Sequence, residues 1–274
     1  MKKINFLSIL LAFPLIFSGQ IDSVTIKKTL EEVNVNAIKA DKNTPIAFTN
    51  LSKKEIEKSN LGQDLPFLIS LTPSIVTTSD AGAGIGYTGF RIRGTDPSRI
   101  NVTINGIPLN DSESQGVWWV NMPDFASSLE NIQIQRGVGT STNGAAAFGA
   151  SINLQTIGIN EVAYAKTNNT FGSFNTLKNN IELGTGVINN KFTFDTRLSK
   201  IISDGYIDRA ESDLKSLYIQ GAYFDKTSIL KGIIFSGKER TYQAWNGVPS
   251  KYLDTNRTYN SYTYENEVDN YSQT

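Results

Sequence analysis

The chain has 274 residues, with 26 Lys+Arg against 26 Asp+Glu, so its formal net charge is zero. It contains neither Cys nor His, which excludes disulfides, thiolate and imidazole metal sites, and nucleophilic catalysis by Cys or a Ser-His-Asp triad. The balanced charge weighs against a dedicated nucleic-acid binder, which carries a basic excess. No resident cofactor or metal is expected.

The N-terminus reads as an export leader at residues 1–19. Lys2 and Lys3 precede an apolar run from Phe6 to Phe17, followed by Ser18-Gly19-Gln20, the layout of a secretory signal. That run is too short to span a bilayer as a helix, and no later run is longer. Any entry into a membrane must therefore be as a barrel. Residues 20–45 form a polar segment containing Glu32, Val33, Asn34, Val35, Asn36 and Ala37.

From 46 to 157 helix and strand signals alternate. Ser52 with Glu55 fits a capping box that opens a helix through about Ser59. Asp64 is placed to cap a second helix, Leu65 to Leu71, with Pro66 in its first turn. "SIVTT" at 74–78 is strand-like, and the loop with Gly82, Gly84, Gly86 and Tyr87 is too glycine-rich for a regular element. In "FRIRG" the apolar Phe90 and Ile92 alternate with Arg91 and Arg93. "INVTINGIPL" is a hairpin signal, with Asn105-Gly106 suited to a type I′ turn. Asp124 is placed to cap "FASSLE", and "NIQIQRG" follows as a strand ending in Arg136-Gly137.

From 158 to 274 the period is that of a sheet between two solvents. Phe192, Phe194, Thr196 and Leu198 share one face; Thr193, Asp195, Arg197 and Ser199 share the other. Strands are expected at about 161–171, 174–186, 190–202, 214–225 and 228–240, with a weaker one near 258–270. Their length and alternation suit a membrane barrel, as do short breaks alternating with longer loops. A soluble β-sandwich or adhesin also alternates. Five or six strands fall short of the eight or so that close a barrel, so the chain reads as the N-terminal part of a longer protein.

"FRIRGTDPSRINVTINGIPLND", "SLENIQIQRG" and "NGAAAFGASINL", in that order, resemble the plug domain of TonB-dependent outer-membrane receptors. The resemblance covers about 110 residues. It departs from the family pattern at Asn105, where an acid is usual, at Asn131, Gln133 and Val138, and at Ala150-Ser151. It implies an α+β plug domain, a small mixed sheet with short helices, followed by antiparallel strands of a transmembrane β-barrel that is incomplete in this chain. Plug turns would fall at Gly94, Asn105, Gly106, Gly137, Gly144 and Gly149.

The function implied is ligand-gated import across the outer membrane of a Gram-negative-type bacterium, not an enzymatic activity. The partners implied are TonB with its inner-membrane motor, outer-membrane lipid and a small-molecule ligand, with no nucleic acid. A ferric siderophore-type chelate is the first expectation for that ligand. Glu32–Ala37 resembles the TonB box, an exposed strand captured by edge addition. Arg91, Arg93 and Arg136 would pair with acids of the barrel wall, Glu182 among them. Tyr87, Gln115, Trp118 and Trp119 are candidate ligand contacts. Asp111, Glu113 and Asp124 are close in sequence, but loop carboxylates usually only solvate. The alternative from a different class is a secreted β-rich binding or adhesion protein.

Overall fold

The computed structural model describes residues 39–41, 43–139, 147–262 and 271–273. The leader, the Glu32–Ala37 segment and Gly144 lie outside the described residues.

Strand β1 (Phe48–Ser52) leads into helix α1 (Lys53–Ser59) and the single-turn helix α2 (Leu65–Leu68). The Glu55 carboxylate accepts hydrogen bonds from both the backbone N–H and the hydroxyl of Ser52, at 2.8 and 2.6 Å, and so fixes the start of α1. The second helix stops at Leu68, short of the expected Leu71. Asp64 does not cap it with its side chain, because that carboxylate accepts from the Thr88 hydroxyl at 2.9 Å instead. β2 (Ile75–Ser79) and β3 (Thr88–Ile92) pair as a separate antiparallel ribbon.

Next come β4 (Ile100–Ile104), β5 (Ile107–Pro108), β6 (Leu129–Arg136) and β7 (Ala150–Thr156). With β1 they form a five-stranded sheet in the order β1-β6-β7-β4-β5. Every pairing is antiparallel except β4 with β7. Asn105 and Gly106 both have positive φ, 50° and 84°, as a type I′ turn requires. One face carries Ile100, Val102, Ile132, Ile134, Ile152 and Leu154, all buried in a core with Phe90, Trp119 and Phe125. The other face is polar yet also buried, with Asn101, Thr103, Gln133, Gln135, Ser151 and Asn153. Part of this face is internally bonded, as Thr103 is to Asn153 at 2.9 Å and Gln135 to Gln133 at 2.8 Å, which offsets part of the cost of burying it.

Five long antiparallel strands follow: β8 (Tyr164–Gly172), β9 (Thr176–Gly184), β10 (Phe192–Ser203), β11 (Ser212–Phe224) and β12 (Ile229–Thr241). Short β13 (Tyr271–Gln273) adds to β12, giving an unclosed six-stranded sheet. The five long strands lie where the alternation places them. The weaker strand expected near 258–270 differs: residues 258–262 are not in a strand, and pairing begins at Tyr271.

The two faces of this wall differ chemically. Lys178, Asn180, Glu182, Asp195, Arg197, Ser199 and Gln220 are buried on the face that packs on the inner domain. Ile181, Leu183, Phe192, Phe194, Leu198, Leu230 and Ile234 are exposed on the other. Apolar-out, polar-in is the inverse of a soluble sheet and suits a wall between lipid and a polar interior. Among the described residues no helix is long and apolar enough to cross a membrane.

Candidate functional site

The inner domain and the wall meet at Asp124. Its backbone is left-handed, φ 52°, where the chain turns from Pro123 into a short 3-10 turn, Phe125–Ser128. The sequence suggests a helix cap at this position. The structure corrects this: the carboxylate makes no cap bond and points at the wall. One oxygen accepts from Lys178 Nζ at 2.6 Å, from the Ser127 hydroxyl at 2.6 Å and from the Asn60 amide at 3.1 Å. The other accepts from Asn180 at 2.7 Å and Ser199 at 2.6 Å, and lies 3.2 Å from Arg197 Nη1.

Lys178 and Asn180 come from β9, and Arg197 and Ser199 from β10, so one inner-domain acid ties two wall strands. Arg197 also donates to Ser128 at 2.9 Å and to Ser216 of β11 at 3.1 Å. Lys178 is 1% exposed and Arg197 2%; charges this deep persist only when paired and hydrogen-bonded. Burial by itself raises the Asp124 pKa. The adjacent Lys178 and Arg197 charges outweigh it and hold the carboxyl well below the usual range. Glu182, buried on β9, stands directly opposite Arg197 in register, so the cluster is close to neutral.

Arginines of the inner domain were expected to meet acids of the wall. Among the described residues the polarity is reversed at this contact: the acid is on the inner domain and the cations are on the wall. Arg91 is exposed and pairs with its neighbour Asp96 at 2.5 Å. Arg93, just past β3 with φ 52°, is exposed near Gly137. Arg136 donates to Thr49 within the inner domain at 3.1 Å. No described salt bridge joins any of the three to Glu182. Lys178, Arg197 and their neighbours were legible as one polar face of alternating strands. The partner on a distant loop carried no sequence signal.

At the rim bearing the longer loops, the Ser79–Tyr87 loop docks under the wall. The Ala81 carbonyl accepts from the backbone N–H groups of Tyr206 and Ile207, at 2.8 and 3.2 Å. The Tyr87 ring meets Trp245 edge-on at 5.7 Å. Burial pushes the Asp80 carboxyl in this loop up to about 6. In the 110–116 loop the Asp111 carboxylate accepts from Glu113 N–H, Ser114 N–H and the Ser114 hydroxyl. Gln115 there is exposed with φ 59°. The two adjacent tryptophans separate: Trp118 is 56% exposed, and Trp119 is 5% exposed against Phe90. The Trp119 ring therefore belongs to the core and not to the exposed rim.

Gly94 and Gly137 have φ of 76° and 107°. Gly149 serves close approach instead: a Cβ there would lie 3.1 Å from the Arg99 carbonyl and inside the Thr95 side chain. Near the start of the described chain, Gln133 clasps the backbone of Ala40. It donates to the carbonyl at 2.9 Å and accepts from the N–H at 2.8 Å.

Residues 40–151 match the family model described as the TonB-dependent Receptor Plug Domain. Over 123 residues the chain is 28% identical to the vitamin B12 transporter BtuB of Vibrio vulnificus (strain YJ016), covering 45% of this chain and 19% of that protein. The structure is similar to the ferric-catecholate import receptor Fiu of E. coli K12, with a TM-score of 0.61 at 17% identity, covering 76% of this chain and 29% of that one. It is also similar to the siderophore receptor PirA of Acinetobacter baumannii, with a TM-score of 0.55 at 16% identity, covering 73% and 32%. The chain thus spans from a fifth to a third of the length of these relatives.

Proposed function

Because the chain carries the plug domain of a TonB-dependent receptor, followed by strands of the barrel around it, we propose that it works as the gate and part of the wall of an energy-coupled importer in the outer membrane. The observation that carries this reading is the Asp124 cluster. The plug-type domain is bonded through buried charge to the inner face of a wall whose outer face is apolar. At this charged part of the interface, contacts can be broken and reformed with polar groups, not apolar ones, meeting water. That suits a domain that must move and return.

In this reading Glu32–Ala37 is the TonB box, an extended segment added to the edge of a sheet in TonB. A pull on it reaches the plug through Ala40, which Gln133 holds. Ligand approaches from the long-loop rim. Trp118, Tyr87 and Gln115 supply the contacts there, and Trp119, buried in the core, anchors the 3-10 turn that Trp118 precedes. Arg93 and Arg136 face wall strands other than the ones described. The ligand class we propose is a ferric siderophore-type chelate, the cargo type for which Fiu and PirA are named. BtuB, named for vitamin B12, supplies the competing class.

The test uses the full-length receptor in a strain lacking its own importers. Growth rescue by a panel of ferric chelates, and none by cobalamin, is the expected result. Rescue by cobalamin alone would overturn the ligand class. Unchanged ligand accumulation after deletion of Glu32–Ala37 would overturn the energy coupling.

A further inference from the structure

The outward face of the wall carries a feature that the plug and its gating do not use. Lys200 of β10 stands directly opposite Lys215 of β11, and Lys215 directly opposite Lys238 of β12. All three are exposed. Neighbouring strands are about 4.8 Å apart, and like charges directly opposite one another destabilise a sheet. Three in a row is therefore a cost that nothing in the fold requires. One row nearer the rim, Asp213 stands opposite Arg240. Asp213 also lies 3.4 Å from Lys200, with both side chains about half exposed, so among the described residues one carboxylate accompanies the three lysines.

On the other side of the ladder lies apolar ground. Ile181 stands opposite Leu198, and Leu198 opposite Leu217. With the three lysines these residues line a shallow groove of about 580 Å³. A row of cations along one end of an apolar groove is complementary to a lipid: anionic head on the lysines, acyl chain on the leucines.

Strand direction fixes the level of this row in the membrane. Lys200 and Lys238 are each three residues before the end of their strand, and Lys215 three after the start of its own. That end bears the 204–211 loop and the long segment beginning at 242, whereas the other bears the breaks at 185–191 and 225–228. In barrels of this class the longer loops face outward, which puts the ladder at the headgroups of the outer leaflet.

We propose that Lys200, Lys215 and Lys238 form a binding site for a phosphorylated glycolipid of the outer leaflet, its phosphates on the ladder and an acyl chain along Ile181, Leu198 and Leu217. The proposal rests on the barrel orientation in the importer reading and is independent of the transported ligand.

The experiment is native mass spectrometry of the delipidated full-length receptor with added diphosphoryl lipid A. The comparators are fully dephosphorylated lipid A and excess inorganic phosphate. The variant Lys200→Gln/Lys215→Gln/Lys238→Gln is expected to weaken diphosphoryl lipid A binding by roughly 100-fold, at about 1 kcal/mol for each of the three surface cations. The Arg triple variant should retain binding, which separates lost charge from lost folding. Lys191→Gln/Lys226→Gln, at the opposite rim, should change nothing. Equal binding by the Gln triple variant, equal binding of the phosphate-free lipid, or an equal loss in the opposite-rim control would each overturn the site. Displacement of the lipid by free phosphate would show an anion site and no lipid site.

Discussion

Asp124 sits in a left-handed conformation that Asn tolerates nearly as well as Asp, so Asp124→Asn removes the charge and keeps the turn. Lys178 and Arg197 would then share a buried site with Glu182 as the nearest acid. Losing one partner of a buried pair costs about 3–5 kcal/mol, and denaturant unfolding of the full-length receptor should show a loss of that size. Because the folded pKa of Asp124 is depressed, its contribution is fully present above about pH 4. It is lost only as pH falls further. Asp80 has the opposite sign. Its folded pKa, raised to about 6, favours the docked Ser79–Tyr87 loop below about pH 4, and that preference disappears as pH rises through about 6. Hydrogen exchange of this loop, corrected for intrinsic rate, should be slower at pH 5 than at pH 7.5. In Asp80→Asn the difference should vanish.

Asn105 stands where the family pattern has an acid, and its surroundings explain the amide. Its Nδ2 donates to the Thr156 hydroxyl at 2.9 Å, and its Oδ1 accepts from the Thr156 N–H at 3.0 Å. A carboxylate could only accept. Gln133, another departure, works the same way on Ala40. Both neutral amides donate through one atom and accept through the other; an acid at 105 could hold the Thr156 hydroxyl only by turning its proton away from Gln220.

At the scale of elements, the two tryptophans offer a contrast between neighbours. Trp119→Ala empties a core position between Phe90 and the sheet, and should cost about 3–5 kcal/mol in unfolding experiments. Trp118→Ala removes an exposed ring and should shift stability by less than about 0.5 kcal/mol. If the proposed rim contact is right, Trp118→Ala lowers ligand affinity at unchanged melting temperature; an unchanged dissociation constant would remove Trp118 from the site.

The strands of the wall were legible because each separates two solvents, and a period of two along ten or more residues has few other readings. The Asn105-Gly106 turn and the Ser52/Glu55 helix start were legible because their chemistry is local. α2 was read too long because Ile69, Ser70 and Leu71 continue an apolar run whose first turn is fixed by Pro66, whereas the chain leaves the helix at Ile69. The Asp124 cluster was not legible at all. Asp124 is more than 50 positions from every wall residue it meets, and in isolation it has the pattern of a helix cap.

For the whole molecule, plug and wall share one core. Phe125 of the plug meets Phe235 of β12 edge-on at 5.1 Å, and Tyr218 of β11 is buried in the same cluster as Ile132 and Ile152. Removing the plug therefore exposes apolar as well as charged wall. A partial rearrangement that keeps Phe125 against Phe235 is expected to cost less than full exit. Cross-linking Phe125→Cys to Phe235→Cys in the full-length receptor should leave transport largely intact if movement is partial; complete loss of transport would indicate that the whole domain leaves.

The clasp on Ala40 and the Asn60 bond to Asp124 lie along the same thread. Between them run the edge strand β1, paired on one side only, and the short helix α1. Among the described residues, tension entering from the N-terminal side meets the Lys39 bond to Gln155 and the Gln133 clasp on Ala40, then β1, then α1, and only afterwards Asn60. Drawn straight, the roughly 20 intervening residues reach about 70 Å, over twice the ~30 Å thickness of a bilayer's apolar core. The buried charges at Asp124 thus have slack in front of them. A short tug is absorbed by the edge of the sheet; a longer one meets the exposed Glu57–Lys166 pair between α1 and the wall, and only a haul of tens of ångströms reaches Asn60 and the buried charges at Asp124.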